Sequence, residues 1–483
     1  MHAGLAGFYI IRDEFDTGLP GNSLNLPAND YDNAKIRELA LAIQDRMFKE
    51  NGELFYPAFE GDPFYEDFIT GEGVEWSEGQ PTALAEFFGD HFVVNGKIWP
   101  KLTVDPALVR LRLLNGCDSR FLGIQFYEET INVRKKQKNI PFTVIGGDQG
   151  FVNDGSNGIV RDTLVMETGS RYDILFDFRG YQGKRIIMKN IGGDEPFGGT
   201  FPGVVLFPEI DRIMAFDVAG KLDDDSLLPA DIGPFPKQEH TIFDLDHNTR
   251  RKVGLFEGAY AAAKRPSTTS VVCLLTATCT VLQQFGITGR DEYGRLMPLL
   301  GTVEKSDKYW PATHIAAAGT QLGDSEQLME GTIAWHSPTT ENPDLDSIEI
   351  WEIWNLSADA HPIHLHLVNF AILDRYDIIF DSNADADAVI DTDGGAFPKG
   401  DGTYLTPQVL VQHNLKHGEG FKVNNPTKST KTVQGDQAYV EAMPKDTVTA
   451  FPGQVTEIKV RFDKPGRYVW HCHILSHEGR LRV

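Results

Sequence analysis

The chain has 483 residues, enough for two or three domains with sizeable cores. Its 45 basic residues face 69 acidic ones, and the formal net charge of −24 argues against nucleic acid or an anionic membrane surface as partner. No apolar run reaches the roughly 17–25 residues of a membrane span, and four cysteines do not make a disulfide framework. Met1-His2-Ala3-Gly4 lacks the charged and apolar regions of a signal peptide, so the compartment stays open.

The 47 glycines and 26 prolines punctuate short apolar runs, the pattern of an all-β chain of sandwiches. Leu5 to Ile11 is apolar and β-compatible, and residues 13–35 form a Gly-, Pro- and Asn-rich linker. Lys35 to Lys49 suits a helix by propensity, but Leu39, Leu41 and Ile43 alternate at period two, which predicts a strand. From Phe87 to Val218 the strand pattern is clearer. Asn95-Gly96 is a strong hairpin-turn dipeptide, and Val109, Leu111 and Leu113 alternate with Arg110 and Arg112. Tyr172 to Phe178 and Arg185 to Asn190 read as further strands; Cys117 reads as a buried or idle thiol. His91 is the only histidine near this region, so no metal site is expected there. Residues 221–239 form an acidic, proline-bearing connection. Ile348 to Asn355 and Glu457 to Phe462 then read as strands, and Lys464-Pro465-Gly466 turns the chain into its last one.

That last stretch, Trp470-His471-Cys472-His473-Ile474-Leu475-Ser476-His477-Glu478, carries the chemistry. If Tyr468 to Leu475 is a strand, His471 and His473 point to one face and Cys472 to the other. Two metal centres then share one strand. His477 lies close enough behind Cys472 for a loop to return it to the thiolate's side. Two His and one Cys make up the ligand set of a trigonal blue-copper site. A second cluster, His361-Pro362-Ile363-His364-Leu365-His366, puts His364 and His366 on one face and leaves His361 out of step, available to a different centre. One His-x-His pair alone is most simply a coincidence on a polar strand. Two such pairs with an interposed Cys argue for metal. Zinc is disfavoured, because its sites are commonly closed tetrahedra and an alternating His-Cys-His strand splits its ligands between two faces.

These motifs resemble the multicopper oxidases, within them the branch of bilirubin oxidase and the spore-coat laccases. Support comes from Phe92-Val93-Val94-Asn95-Gly96-Lys97-Ile98-Trp99-Pro100, Arg110-Leu111-Arg112-Leu113-Leu114-Asn115, Asp291-Glu292-Tyr293-Gly294-Arg295 and Trp351-Glu352-Ile353-Trp354-Asn355. The resemblance implies tandem cupredoxin-like (plastocyanin-like, Greek-key) sandwiches. Residues 1–12 would be the remnant end of a first domain, 36–220 a second domain and 240–483 a third, copper-bearing domain, with 13–35 and 221–239 as linkers. Residues 259–290, with Cys273 and Cys279, have no counterpart in the family. They read as a retained intron or a surface insertion, which sequencing the mature transcript distinguishes.

The resemblance also implies the ligands. His361, Cys472 and His477 would bind the type 1 copper, His364 the type 2 copper, and His366, His471 and His473 the type 3 pair. Glu478 is a candidate proton donor. The implied activity couples one-electron oxidation of phenolic or tetrapyrrole-like small molecules to reduction of dioxygen to water. Two departures qualify it. The family draws half of its oxygen-site histidines from two His-x-His motifs in the first domain, and no other His-x-His pair occurs here. Type 2 and type 3 copper are therefore expected only if the missing ligands are supplied, and this chain alone is expected not to reduce oxygen. The family's usual axial Met is replaced by Arg482, although the axial donor of blue copper is weak and variable. The alternative is a degenerate copper-binding cupredoxin protein without oxidase activity. Asn355-Leu356-Ser357 matches a glycosylation sequon but ends an apolar strand, so Asn355 is expected to be at least partly buried. Eight unclustered methionines argue against a methionine-rich cuprous site.

Overall fold

The computed structural model describes residues 3–59, 61–64, 84, 86–129, 138–222, 227–235, 245–247, 249–258, 297–302, 331–332, 341–355, 357, 359–379, 397–398, 404–405, 411–413, 421–423, 427–432 and 439–478. The 259–290 segment, the Asp291–Arg295 motif and Arg482 lie outside them, so the expectations placed there are not addressed by the structure.

Alternation puts Val109, Leu111 and Leu113 on the inner face of the Leu108–Asn115 strand, where all three are fully buried. This strand is central in a sheet ordered Ile159–Arg161, Phe142–Gly147, Arg171–Asp177, Leu108–Asn115, Glu38–Phe48, His91–Val94 and Lys97–Ile98. A second sheet runs Leu164–Met166, Leu122–Glu128, Arg185–Asn190, Arg212–Val218 and Lys101–Val104. Both contribute to one core, with the Phe126 ring against Phe142, Phe176 and Phe216. Period two prevails over helix propensity at Glu38–Phe48, which pairs in parallel with Leu108–Asn115. The Asn95-Gly96 hairpin is observed, with both residues at positive φ (50° and 81°) and Val94 opposite Lys97.

The polar face of Leu108–Asn115 is not solvent-facing at Arg110, which is 1% exposed. Its guanidinium bonds Asp173 at 2.9 Å and pairs with Asp16 at 2.9 Å. Asp16 lies in the segment read as a linker, so ion pairs fasten that segment to the sheet. Leu5 to Ile11, by contrast, forms no strand, and Leu5, Tyr9 and Ile11 are exposed. The β-compatible reading fails there because the segment meets no strand partner among the described residues.

The second sandwich has a sheet ordered Gly331–Thr332, Met297–Thr302, Thr249–Gly258, Ile348–Asn355, Gln454–Arg461, Phe370–Ile379 and Thr427–Thr432. Against it stands a three-stranded sheet with His361–Leu365 between Thr447–Ala450 and Trp470–Cys472. Trp351, Ile353, Ile363, Val448, Ile458 and Trp470 share the core between them. The final strand is shorter than the predicted Tyr468–Leu475. His473 N still donates across the ladder to Pro362 O at 2.6 Å, but Pro362 has no N–H to return, and His473 O accepts the Thr168 hydroxyl at 2.7 Å instead; the chain then turns away, and Leu475 N donates to Asp118 O at 3.1 Å, in the first sandwich. Leu475–Glu478 is then a single helical turn.

Candidate metal centres

Register brings the two motifs face to face. His361–Leu365 runs antiparallel to Trp470–Cys472, with Ile363 opposite Cys472 and His364 opposite His471. Alternation then sorts the side chains. His361 shares a face with Cys472, and His364 with His471.

On the first face, donor atoms of His361, Cys472 and His477 all lie within 4.8 Å of one another. Cys472 Sγ is 3.6 Å from Nδ1 of each histidine. Sulfur and nitrogen donors at about 2.3 and 2.0 Å from one ion stand roughly 3.5–3.7 Å apart at tetrahedral to trigonal angles. The residues present therefore fit a single ion held by one thiolate and two imidazoles. The three are 1–2% exposed. The ring of His361 is oriented by Ser357. The Ser357 hydroxyl donates to Asn355 Oδ1 at 2.5 Å, and its oxygen accepts His361 Nε2–H at 2.7 Å. That tautomer turns the Nδ1 lone pair toward Cys472. Burial lowers the His361 pKa to about 4, keeping the ring neutral. On the outer side, His477 Nε2 is 3.8 Å from Glu86 Oε1 of the first sandwich.

On the opposite face, donor atoms of His364, His366 and His471 also lie within 4.8 Å. His364 Nδ1 donates to Asp446 O at 2.8 Å, and His471 Nδ1 to Cys472 O at 2.9 Å. A carbonyl only accepts, so in both rings Nε2 keeps the lone pair. Nε2 of His471 lies 3.0 Å from Nε2 of His366. This set suits imidazole-bound copper, and a carboxylate supports it from behind. Asp446 takes Arg171 Nη1 at 2.8 Å and Nη2 at 2.6 Å. Burial alone would raise the Asp446 pKa, but hydrogen bonds from His364 and Arg171 hold it well below the ordinary value.

His473 lies beside this trio rather than within it. Its ring centre is 5.5 Å from that of His471 and 5.6 Å from that of His364. Burial, reinforced by His364 and His471, lowers its pKa to about 3. Gly169 (φ +80°) makes room for the ring: a Cβ there would fall 2.5 Å from His473 Cδ2. The Glu478 side chain lies outside the described residues.

Sequence reasoning missed Ser357, Asp446, Thr447 and Asp118. Only Ser357 left a trace: the sequon triplet has a fully buried Asn355, and its serine orients the His361 ring. Cys117 is a fully buried thiol, as expected.

A family model described as multicopper oxidase matches residues 311–387 and 416–480. A laccase of Bacillus stratosphericus is 28% identical over 480 residues, covering 99% of this chain and 66% of that protein. A laccase of Bacillus subtilis (strain 168) is 28% identical over 484 residues, covering 99% and 65%. The multicopper oxidase McoA of Aquifex aeolicus superposes with a TM-score of 0.46 at 17% identity, covering 93% of this chain and 66% of that one. The chain is thus similar to the multicopper oxidases, a family whose cofactor is copper, with the family model confined to its C-terminal part. It spans about two thirds of the length of these laccases (66% and 65%). Among the described residues no helix is long and apolar enough to cross a membrane.

Proposed function

We propose that the chain is the electron-accepting part of a copper-dependent oxidoreductase, with His361, Cys472 and His477 as the type 1 ligands. His364 would serve the type 2 copper, and His366, His471 and His473 the type 3 pair. One observation supports the reading: two donor sets, one fully buried and one partly exposed, lie on opposite faces of one three-residue strand and are joined by the His471–Cys472 peptide bond. Copper, when bound, supplies one-electron chemistry between two oxidation states.

The chain's own residues do the rest. Cys472 gives up its thiol proton to become a soft ligand. Burial and Ser357 keep His361 neutral and aimed. Asp446 and Thr447 fix the His364 ring. With copper held on both faces, the peptide between His471 and Cys472 would link the two sets covalently for electron transfer. Glu478, next to His477, is the proposed proton donor for oxygen reduction. Phenolic or tetrapyrrole-like small molecules are the proposed electron donors, and dioxygen the acceptor.

The contrast between the sets favours a second reading. The Cys472 set is enclosed, whereas His366 is exposed, so the chain taken alone would hold the type 1 ion without oxygen chemistry. Counting copper per chain and measuring oxygen uptake decides between the two. Four coppers with oxygen consumption support the oxidase. One copper with a blue band and no uptake supports the copper-binding protein. No copper dependent on Cys472 sinks both.

A further inference from the structure

The turn that carries His477 belongs to the second sandwich by sequence but is held by the first. Leu475 N donates to Asp118 O at 3.1 Å, and the Ser476 hydroxyl donates to Asp118 Oδ1 at 2.6 Å. The same carboxylate oxygen accepts the Ser119 hydroxyl at 2.9 Å, and Ser119 Oγ accepts Phe87 N at 3.0 Å. Phe87 follows Glu86, the residue facing His477 Nε2. Asp118 is 5% and Ser119 2% exposed. The Asp118 loop is itself rigidly tied. Asn115 Nδ2 donates to Arg120 O and Met166 O, and Asn115 Oδ1 accepts Cys117 N.

A single helical turn does not hold itself in water, because nucleation costs more than one turn of hydrogen bonds returns. Its leading N–H groups also need acceptors from outside the helix. Asp118 supplies an acceptor for Leu475 N and a second one for the Ser476 hydroxyl. The residue immediately after these two anchors is His477, whose Nδ1 must stay 3.6 Å from Cys472 Sγ.

We propose that Asp118 is a positioning residue for the Cys472 site, clamping the His477 turn from the other sandwich so that the imidazole keeps its place against the thiolate. The proposal rests on the reading that His361, Cys472 and His477 hold copper. By this account the ligand geometry of a site whose three ligands come from one sandwich is set by the packing of both.

The test uses the whole chain and two readouts. In the first, copper(I) is titrated anaerobically against a competing chelator, and the thiolate-to-copper(II) absorption band is then recorded after one-electron oxidation of the loaded protein with ferricyanide. Asp118→Ala is expected to weaken affinity by about tenfold or more and to shift the band, while Asp118→Asn, whose amide oxygen still accepts, stays within about threefold of the unmodified protein. In the second, copper-free protein is alkylated with iodoacetamide and Cys472 is followed by peptide mass spectrometry. Asp118→Ala is expected to speed Cys472 modification by about tenfold or more, because the turn that covers the thiol opens locally. A folded Asp118→Ala variant with unchanged affinity, band and alkylation rate overturns the proposal. If that variant does not fold, Ser476→Ala takes its place. It should show the same changes in smaller amplitude, and an unchanged band and alkylation rate in it are equally fatal. If the unmodified protein takes up no copper through Cys472, the copper reading falls, and the alkylation comparison alone decides the role of Asp118.

Discussion

The two donor sets share a strand but differ in enclosure. Around Cys472 every proposed ligand is at most 2% exposed, and supporting groups come from both sandwiches. On the other face His471 is buried, His364 half-buried and His366 exposed. The thiolate site is thus walled in by this chain's own residues, while the histidine set has a side open to solvent. A soft thiolate needs a dry pocket to stay bound to metal and unoxidised. A histidine set gathers donors, and its open side leaves room for further ligands and for a small substrate.

The largest break in this comparison is Cys472→Ser. It should abolish the thiolate-to-copper absorption and remove the metal of the enclosed site, while the histidine face keeps its own uptake; metal analysis with absorption spectroscopy reads both. A broader response comes from pH in the copper-free protein. Free histidine protonates near pH 6.5, whereas buried His361 does so only near 4. The unfolded chain therefore binds the extra proton across that window. The stability His361 contributes is complete above pH 6.5 and is lost as pH falls toward 4, by about 3 kcal/mol. His473, lowered to about 3, acts in the same direction. Urea unfolding at several pH values checks this, and a flat profile would argue that neither imidazole is sealed from water.

Arg171→Ala tests the open face. It leaves the Asp446 carboxylate buried without its cation and should cost about 2 kcal/mol in urea unfolding, with Arg171 itself partly exposed. It should also loosen His364 while leaving the Cys472 absorption in place. The smallest expected effect is Ser357→Ala, which frees the His361 tautomer and should lower copper affinity of the enclosed site about tenfold, or about 1.4 kcal/mol, with little change in apo stability. Equal sensitivity of both faces to Ser357→Ala would erase the distinction drawn between them.

Much of this arrangement was legible in the chain. Strand alternation set Cys472 apart from His471 and His473, and His361 apart from His364 and His366; the resemblance implied which faces meet, and the ladder register puts His361 on the face of Cys472 and His364 on that of His471. The Glu38–Phe48 strand followed from period two against helix propensity, because burial of one face outweighs a weak intrinsic preference. Two readings failed for a common reason. Leu5 to Ile11 has strand composition but meets no strand partner among the described residues, and the Cys472 strand stops early because Pro362, opposite His473, has no N–H to return and Leu475 N finds its acceptor off the ladder. Composition describes what a segment tolerates, while pairing depends on what stands next to it.

What the sequence by itself determined is the donor chemistry: a thiolate between two imidazoles, opposed by a second histidine motif, with faces sorted by the two-residue repeat of a strand. That repeat is a local property of the backbone and needs no tertiary information. Only the tertiary structure decided how the sites are closed and aimed. Ser357 turns His361, Asp446 and Thr447 fix His364, Gly169 admits His473, and Asp118 grips the turn of His477 from 358 residues away in sequence. Such contacts arise when two sandwiches pack, and no spacing along one strand encodes them.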